Sequence, residues 1–387
     1  MTAPHARLDG VVAGARRGAA PVGLAFWLTV AVSATASGQI FFTEAADPDV
    51  EWQRDLSSWA MQIAFSPDAK HLVLLHGKDG WQAVTTFDAA NGAEVRELVN
   101  EDGIASAIAV SARGRLALAA AGHVDLLDLL SAKPVVDRFE CAGCNVSVLA
   151  FSADGSKLAM QDARTVRERL LGIGVARILD LETQGVVELE AIAGPRGAVA
   201  FSRDGGRLLT AHTAYVDRAE MAGFKVWDTA GPRLEYSASF PGATMGAIAT
   251  GAVDGAAFVA VNGHDGNIEM RDLMKETLLW SVPMIDNPFA GAAGLPTGVE
   301  LAHVAIGGDG SFVVSYERPA ESFASISVRG LPVRESGGIV VRRASDGSIV
   351  AVYDIPGVTA LAASPNGKAF AFATPRQLPR LALVRAR

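Results

Sequence analysis

The chain has 387 residues, half of them hydrophobic, with 40 glycines and a formal net charge of −8. That length suits two ordinary domains or one large closed all-β domain, and so much glycine suits many short buried strands divided by turns. The acidic balance argues against non-specific nucleic-acid binding, which needs a basic stripe, and mildly disfavours an anionic membrane surface.

The N-terminus reads as a targeting segment. Arg16 and Arg17 precede an apolar stretch from Val22 to Val32, followed by Ala34-Thr35-Ala36. A positive start, a short apolar core and small residues at the minus-three and minus-one positions match a secretory signal peptide over residues 1–36. An uncleaved anchor is the alternative, because no charge occurs from Gly18 to Thr43 and that length can span a bilayer. Both readings export the body, to the periplasm or beyond, since the arginines stay inside. The residues after the twin arginine fit a folded-protein export signal poorly. Without residues 1–36 the chain keeps 31 basic and 41 acidic residues, a net charge of −10. Residues 37–49 read as a linker.

From Val50 onward a short apolar run breaks repeatedly at a Ser/Asp/Gly turn and resumes. The clearest copies are Phe65-Ser66-Pro67-Asp68, Phe151-Ser152-Ala153-Asp154-Gly155 and Phe201-Ser202-Arg203-Asp204-Gly205. Looser copies begin at Val110, Ala252, Gly308 and Ser364. In the first unit, strands are predicted over Met61–Phe65, His71–Leu75, Trp81–Phe87 and Glu94–Leu98. Pro67 and Asp68 shape the first turn, and Asn91-Gly92 the last. Four antiparallel strands make one blade, and recurrence at this period predicts a propeller. The last unit lacks a fourth strand, whereas Glu51-Trp52-Gln53-Arg54-Asp55-Leu56 resembles the fourth strand of the first. The expected fold is therefore an all-β, seven-bladed β-propeller over residues 50–387, closed by an N-terminal strand that completes the last blade. Closure removes two exposed edges.

Third strands often end in a residue followed by Asp: Phe87-Asp88, Leu127-Asp128, Leu179-Asp180, Trp227-Asp228 and Arg271-Asp272. With the Ser-Pro-Asp turn, this pattern resembles the WD40 family in its divergent bacterial, WD40-like form. Only Val226-Trp227-Asp228 carries the full dipeptide, and the Gly-His that usually precedes the first strand is absent. The resemblance implies a fold and is nearly silent on function.

Cys141 and Cys144 are the only cysteines. In an oxidising compartment so close a pair reads as a local disulfide, with plain thiols, redox chemistry and metal binding as alternatives. Asn145 stands where covalent haem attachment needs His.

The second-to-third turns and blade-to-blade links share one face, and there the connections lengthen. Insertions are predicted at Arg164–Gly174, Tyr215–Gly223 and Pro319–Gly338, with a long link at Asp286–Gly298. Long loops on a rigid scaffold are where binding sits. The candidate binding face comprises Arg164, Arg167, Arg169, Tyr215, Arg218, Phe323, Arg329 and Arg334, since arginine and aromatic residues are enriched at interface centres. Solvated surface insertions are the plain alternative.

His76, His123, His212 and His264 recur near the ends of second strands, but come from blades too far apart to share one ion. Glu317 with Glu321, and Asp265 near Glu269, read as solvated acids. Trp52, Trp59, Trp81, Trp227 and Trp280 read as blade packing. The predicted inner strands are small and apolar, as in Ile63-Ala64-Phe65 and Val199-Ala200-Phe201, and no nucleophile elbow, phosphate loop or dinucleotide fingerprint occurs. No catalytic, cofactor-binding or metal-binding residues and no cofactor are assigned. The expected function is an exported non-enzymatic module binding an unidentified protein partner through the long-loop face, without nucleic acid, and with membrane contact only if the N-terminal segment is retained. The alternatives are a propeller-type periplasmic dehydrogenase or hydrolase, or a subunit of one, with a site at the central channel, and a structural envelope scaffold.

Overall fold

In a computed structural model of the protein, the recurring turn is a closed hydrogen-bonded unit. The structure describes residues 30–34, 40–44 and 49–386, except 57, 80, 101–104, 121, 131–134, 142–143, 163–173, 192–196, 203, 217–218, 232, 242–243, 251–256, 263–266, 273–276, 285–298, 320–336, 356 and 375–379. In the first unit the Ser66 hydroxyl donates to Asp68 Oδ1 at 2.6 Å and accepts from the His71 amide at 2.9 Å. Ser152 with Asp154 and Lys157, and Ser202 with Asp204 and Arg207, repeat these distances. Ser364 does the same with Asn366 in place of the acid, at 2.9 Å for both bonds. Each turn thus satisfies its own backbone donors as it reverses the chain, which leaves the flanking apolar residues free to form strands.

Outside the repeats, β1 (Val30–Ala34) pairs antiparallel with β2 (Ile40–Glu44). The rest of the predicted leader lies outside the described residues. No helix among the described residues is long and apolar enough to cross a membrane.

The remaining strands form four-stranded antiparallel sheets. The first is β4 (Ala60–Phe65), β5 (His71–Lys78), β6 (Trp81–Asp88) and β7 (Glu94–Asn100). The second is β8 (Ala107–Val110), β9 (Arg115–Ala120), β10 (His123–Asp128) and β11 (Val135–Glu140). The third is β12 (Val146–Phe151), β13 (Lys157–Asp162), β14 (Gly174–Asp180) and β15 (Val186–Ala191). The fourth is β16 (Gly197–Phe201), β17 (Arg207–Val216), β18 (Ala219–Asp228) and β19 (Arg233–Pro241). The fifth is β20 (Thr244–Thr250), β21 (Ala257–Asn262), β22 (Asn267–Asp272) and β23 (Thr277–Pro283). The sixth is β24 (Val299–Ile306), β25 (Phe312–Pro319), β26 (Gly338–Arg343) and β27 (Ile349–Tyr353). The last joins β28 (Ala360–Ala363), β29 (Ala369–Ala373) and β30 (Arg380–Arg385) to β3 (Val50–Asp55), which pairs with β30. The architecture is an all-β propeller of four-stranded antiparallel blades.

The core lies between sheets rather than at one centre. Val73, Leu75 and Val84 of the first sheet cluster with Ile108, Leu116 and Leu118 of the second. The second meets the third through Val124, Leu126, Leu158 and Met160, and the sixth meets the last through Val314, Tyr316, Phe370 and Phe372. The last meets the first through Trp52, Leu381, Leu72 and Phe87. Alternation explains this, since successive residues of a strand face opposite neighbours and both faces are covered.

Two tryptophans key one sheet to the next in the same way. Trp52 donates its indole N–H to Ala89 O at 2.9 Å, and Trp280 donates to Ala344 O at 2.7 Å. Each ring lies on a glycine of the following sheet's last turn. A Cβ added at Gly92 would stand 2.5 Å from Trp52, and one at Gly347 2.8 Å from Trp280.

Two expectations are corrected. Tyr215–Gly223 is not a loop: β17 and β18 stay in register out to Val216 and Ala219, leaving 217–218 between them. Thr213, Tyr215 and Val216 favour extended backbone and prolong the hairpin. Trp81 and Trp59 are exposed, at 55% and 37%, whereas Trp52, Trp227 and Trp280 are buried. Trp81 opens β6 beside the turn, pairs with Lys78 and lies beyond the buried middle of its strand.

Candidate functional site

The two faces of the propeller differ in their connections. Every first-to-second and third-to-fourth connection has four to six residues. On the opposite face they run from two residues, at 79–80, 121–122, 217–218 and 242–243, to the long stretches 163–173, 284–298 and 320–337. Strand ends thus launch two of the predicted insertions, β13 and β14 the first, β25 and β26 the other. Arg164, Arg167, Arg169, Arg218, Phe323, Arg329 and Arg334 lie outside the described residues. Tyr215 is placed by its backbone in β17, opposite Glu220, and its side chain lies outside the description.

What the structure does show is the footing of these insertions. Asp162, the last residue of β13, is fully buried and accepts from Arg177 Nη1 at 2.9 Å. Arg177 Nε also lies 3.6 Å from Glu188. In the sixth sheet Arg342 is fully buried and forms a close ion pair with Glu317. It also donates to Ser315 Oγ at 3.0 Å and to Pro283 O of the preceding sheet at 3.4 Å. Glu317, expected to be solvated, is therefore buried, because strand alternation turns it inward with Ser315 toward the fifth sheet. Glu269, its counterpart in the other predicted acid pair, is bound by Arg271 at 2.8 Å, and Glu321 and Asp265 lie outside the described residues.

Similar polar groups occupy the same half of other sheets. In the second, Arg138 grips both oxygens of buried Asp125, at 2.6 and 2.9 Å, with His123 Nε2 3.6 Å from the same carboxylate. In the first, His76 is buried with Nε2 2.8 Å from Thr85 Oγ1. Glu97 holds Lys78 by a close ion pair that raises the lysine above its usual pKa. Of the four recurring histidines, His76 is thus buried within one such network, and His123 lies beside the carboxylate of another. His212 sits in β17 and His264 lies outside the described residues. Among the described residues no group of three or more His, Cys, Asp or Glu is placed to hold a metal ion.

Sequence reasoning missed these buried charges. Their signal was a charged residue inside an apolar run, as in Ala-Arg177-Ile and Val-Asp125-Leu, or at the end of one, as in Val-Val-Arg342. Such groups are buried only when paired, so each foretells an unseen partner.

The turn face carries its own electrostatics. Asp68, Asp154 and Asp204 are held below the usual carboxylate range, chiefly by the hydrogen bond from the serine two residues earlier. Between the last and first sheets this face opens a groove of about 460 Å³ lined by Lys70, His71, Asp88 and Lys368.

Cys141 and Cys144 are joined by a disulfide in the link from β11 to β12, with Cα atoms 5.5 Å apart. Cys144 is buried against Val146 and Leu149.

Solved structures share the architecture. The β-propeller domain of Cps50 (Swd1) from Myceliophteria thermophila aligns with a TM-score of 0.61 and 13% identity, over 88% of this chain and all of that one. Kuenenia stuttgartiensis hydrazine synthase aligns with a TM-score of 0.63 and 15% identity, over 86% of this chain and 97% of that one. No protein-family model matches the chain, and no curated protein matches it. The chain is a β-propeller by fold, and similarity at this level speaks to fold alone.

Proposed function

We propose that this protein is an exported, non-enzymatic WD40-like propeller that binds a protein partner through its long-connection face. The observation that carries the reading is the contrast in connection length: one face is uniformly tight, while the other launches 163–173 and 320–337 from strands footed by buried ion pairs. Stiff footings suit loops that must present side chains in one arrangement, because less freedom is lost on binding. Within this reading the sheets are seven blades of one closed ring. Supporting that, the first strands neighbour one another in order, and β28 of the last sheet neighbours β4 of the first. Arg164, Arg167, Arg169, Arg218, Arg329 and Arg334 supply hydrogen-bonding anchors, with Tyr215 and Phe323 as apolar ones. Residues 1–36 export the body, as a cleaved signal peptide or as an anchor.

The test is affinity capture from a cell-envelope extract with the tagged body, residues 37–387, beside its Arg167→Ala/Arg169→Ala form. A stoichiometric protein recovered by the first and lost by the second, at unchanged urea midpoint, is the expected result. Identical recovery by both forms would remove the insertion face from the reading. Fractionation of cells carrying the full chain tests export separately.

A further inference from the structure

We infer that Cys141 and Cys144 form a reversible thiol–disulfide exchange site that accepts electrons from a dithiol partner. The pair closes a ring only three residues apart, within a single link. A ring so small restrains the unfolded chain little, so it is a weak staple.

The backbone positions both cysteines without help from the sulfur bond. The Cys141 amide donates to Gly122 O at 2.9 Å, the Gly122 amide donates to Cys144 O at 3.2 Å, and the Cys144 amide donates to Cys141 O at 2.9 Å. Gly122 belongs to the turn between β9 and β10, so the link is sewn to a rigid hairpin of the second sheet. Opening the disulfide breaks none of these bonds, and the two sulfurs stay close enough to reclose.

The two residues differ in degree of exposure. Cys141 is half-buried at the border of the cluster that holds Val146, Leu149 and Met160, whereas Cys144 lies within that cluster and is 5% exposed. Exchange follows access, so the incoming thiolate attacks Cys141 Sγ. A bond forms from the incoming sulfur to Cys141, the Cys141–Cys144 bond breaks, and its electron pair leaves on Cys144 Sγ, which takes up a proton. The partner's second thiolate then attacks its own sulfur in the mixed disulfide and expels Cys141 as a thiolate, which is protonated in turn. The partner dithiol is oxidised by two electrons to a disulfide, and this pair is reduced by two.

The full-length protein is incubated in native buffer with reduced glutathione, thiols are blocked by alkylation, and the mass shift is read. Reduction of both cysteines without denaturant, recovery of the disulfide on adding oxidised glutathione, and a urea midpoint little changed between the two forms are expected. A disulfide that resists until the chain is unfolded, or a reduced form that melts, would overturn the site. Single variants fix the direction of attack. With oxidised glutathione, Cys144→Ser, which keeps the accessible thiol, should form a mixed disulfide about tenfold faster than Cys141→Ser, since access gates exchange. Equal rates, or the reverse order, would overturn the assignment of Cys141.

Discussion

The two ends of each sheet solve the same problem differently. At the end bearing the short turns, one local device recurs: a serine and an acid or amide two residues on, closing on amides no more than five residues away. At the other end buried charges meet partners well apart in sequence. Arg342 reaches Glu317 across β25 and β26, and Arg177 reaches Asp162 across 163–173. Local repetition makes the first end interchangeable between sheets, while the second is individual to each. A shared scaffold therefore gains one variable face without altering how the sheets stack.

The largest effect should come from the seam between the last sheet and the first. Trp52 arrives from the N-terminal strand, yet its indole bond and its glycine platform match those of Trp280. If β3 is a sheet strand like the others, Trp52→Ala and Trp280→Ala should each cost about 3–5 kcal/mol in urea denaturation, as for large buried aromatics. A cost for Trp52 much smaller than for Trp280 would make the N-terminal strand an accessory. Deleting the chain through Asp55 should cost more than either, because it also bares the edge of β30.

The individual end is tested at Arg342. Arg342→Ala strands the buried Glu317 carboxylate, and breaking such a pair costs about 3–5 kcal/mol. The double variant Arg342→Met/Glu317→Leu removes both charges and should recover most of that loss in the same denaturation experiment. A double variant no better than the single would mean that Ser315 and Pro283, not Glu317, hold the arginine in place.

This contrast also sets what could be read from the sequence. The turn end was legible because Ser66-Pro67-Asp68, Ser152-Ala153-Asp154 and Ser202-Arg203-Asp204 carry their partners within a few residues. Trp52 beside Arg54 was legible because Glu94–Leu98 offered an internal template. The buried charges were not, because Glu317 beside Arg318 looks like ordinary surface until β25 is placed against β26. Tyr215 was misread for a related reason: polar and charged residues around the β17–β18 hairpin resemble an insertion, and only cross-strand pairing shows the strands continuing. The individual roles of the candidate arginines rest on sequence, since those residues lie outside the described structure.

The repeated end should also respond to acid. Asp154 accepts from the Ser152 and Ser156 hydroxyls and from the Ser156 amide, and these bonds depress its pKa. A depressed folded-state pKa contributes stability that is fully present above the unfolded value, about 3.9, and is lost as pH falls toward the folded one. The urea midpoint should therefore drop below about pH 4, and Asp154→Asn should shallow that drop while mattering little to its slope above pH 6. An acid limb unchanged by the substitution would assign the pH dependence to other carboxylates.

The smallest effect is the sharpest test of interchangeability. In the described turns the fourth residue has positive φ: Gly114 at 74°, Gly155 at 68°, Gly205 at 69°, Gly310 at 71° and Gly367 at 66°. The first sheet instead places Ala69 there, at 57°. An L-residue pays about 1–2 kcal/mol in this region, and glycine's greater freedom when unfolded offsets about 0.5–1 kcal/mol. Ala69→Gly should accordingly stabilise the protein by roughly 0.5–1 kcal/mol, and Gly114→Ala, where an added Cβ meets nothing within 4 Å, should destabilise it by a similar amount. Opposite signs and matched sizes in paired urea titrations would show that the turns are one device used repeatedly. If Ala69→Gly is neutral or harmful, the alanine methyl makes a contact of its own, and the place to look is the groove it lines with Lys70, His71 and Lys368.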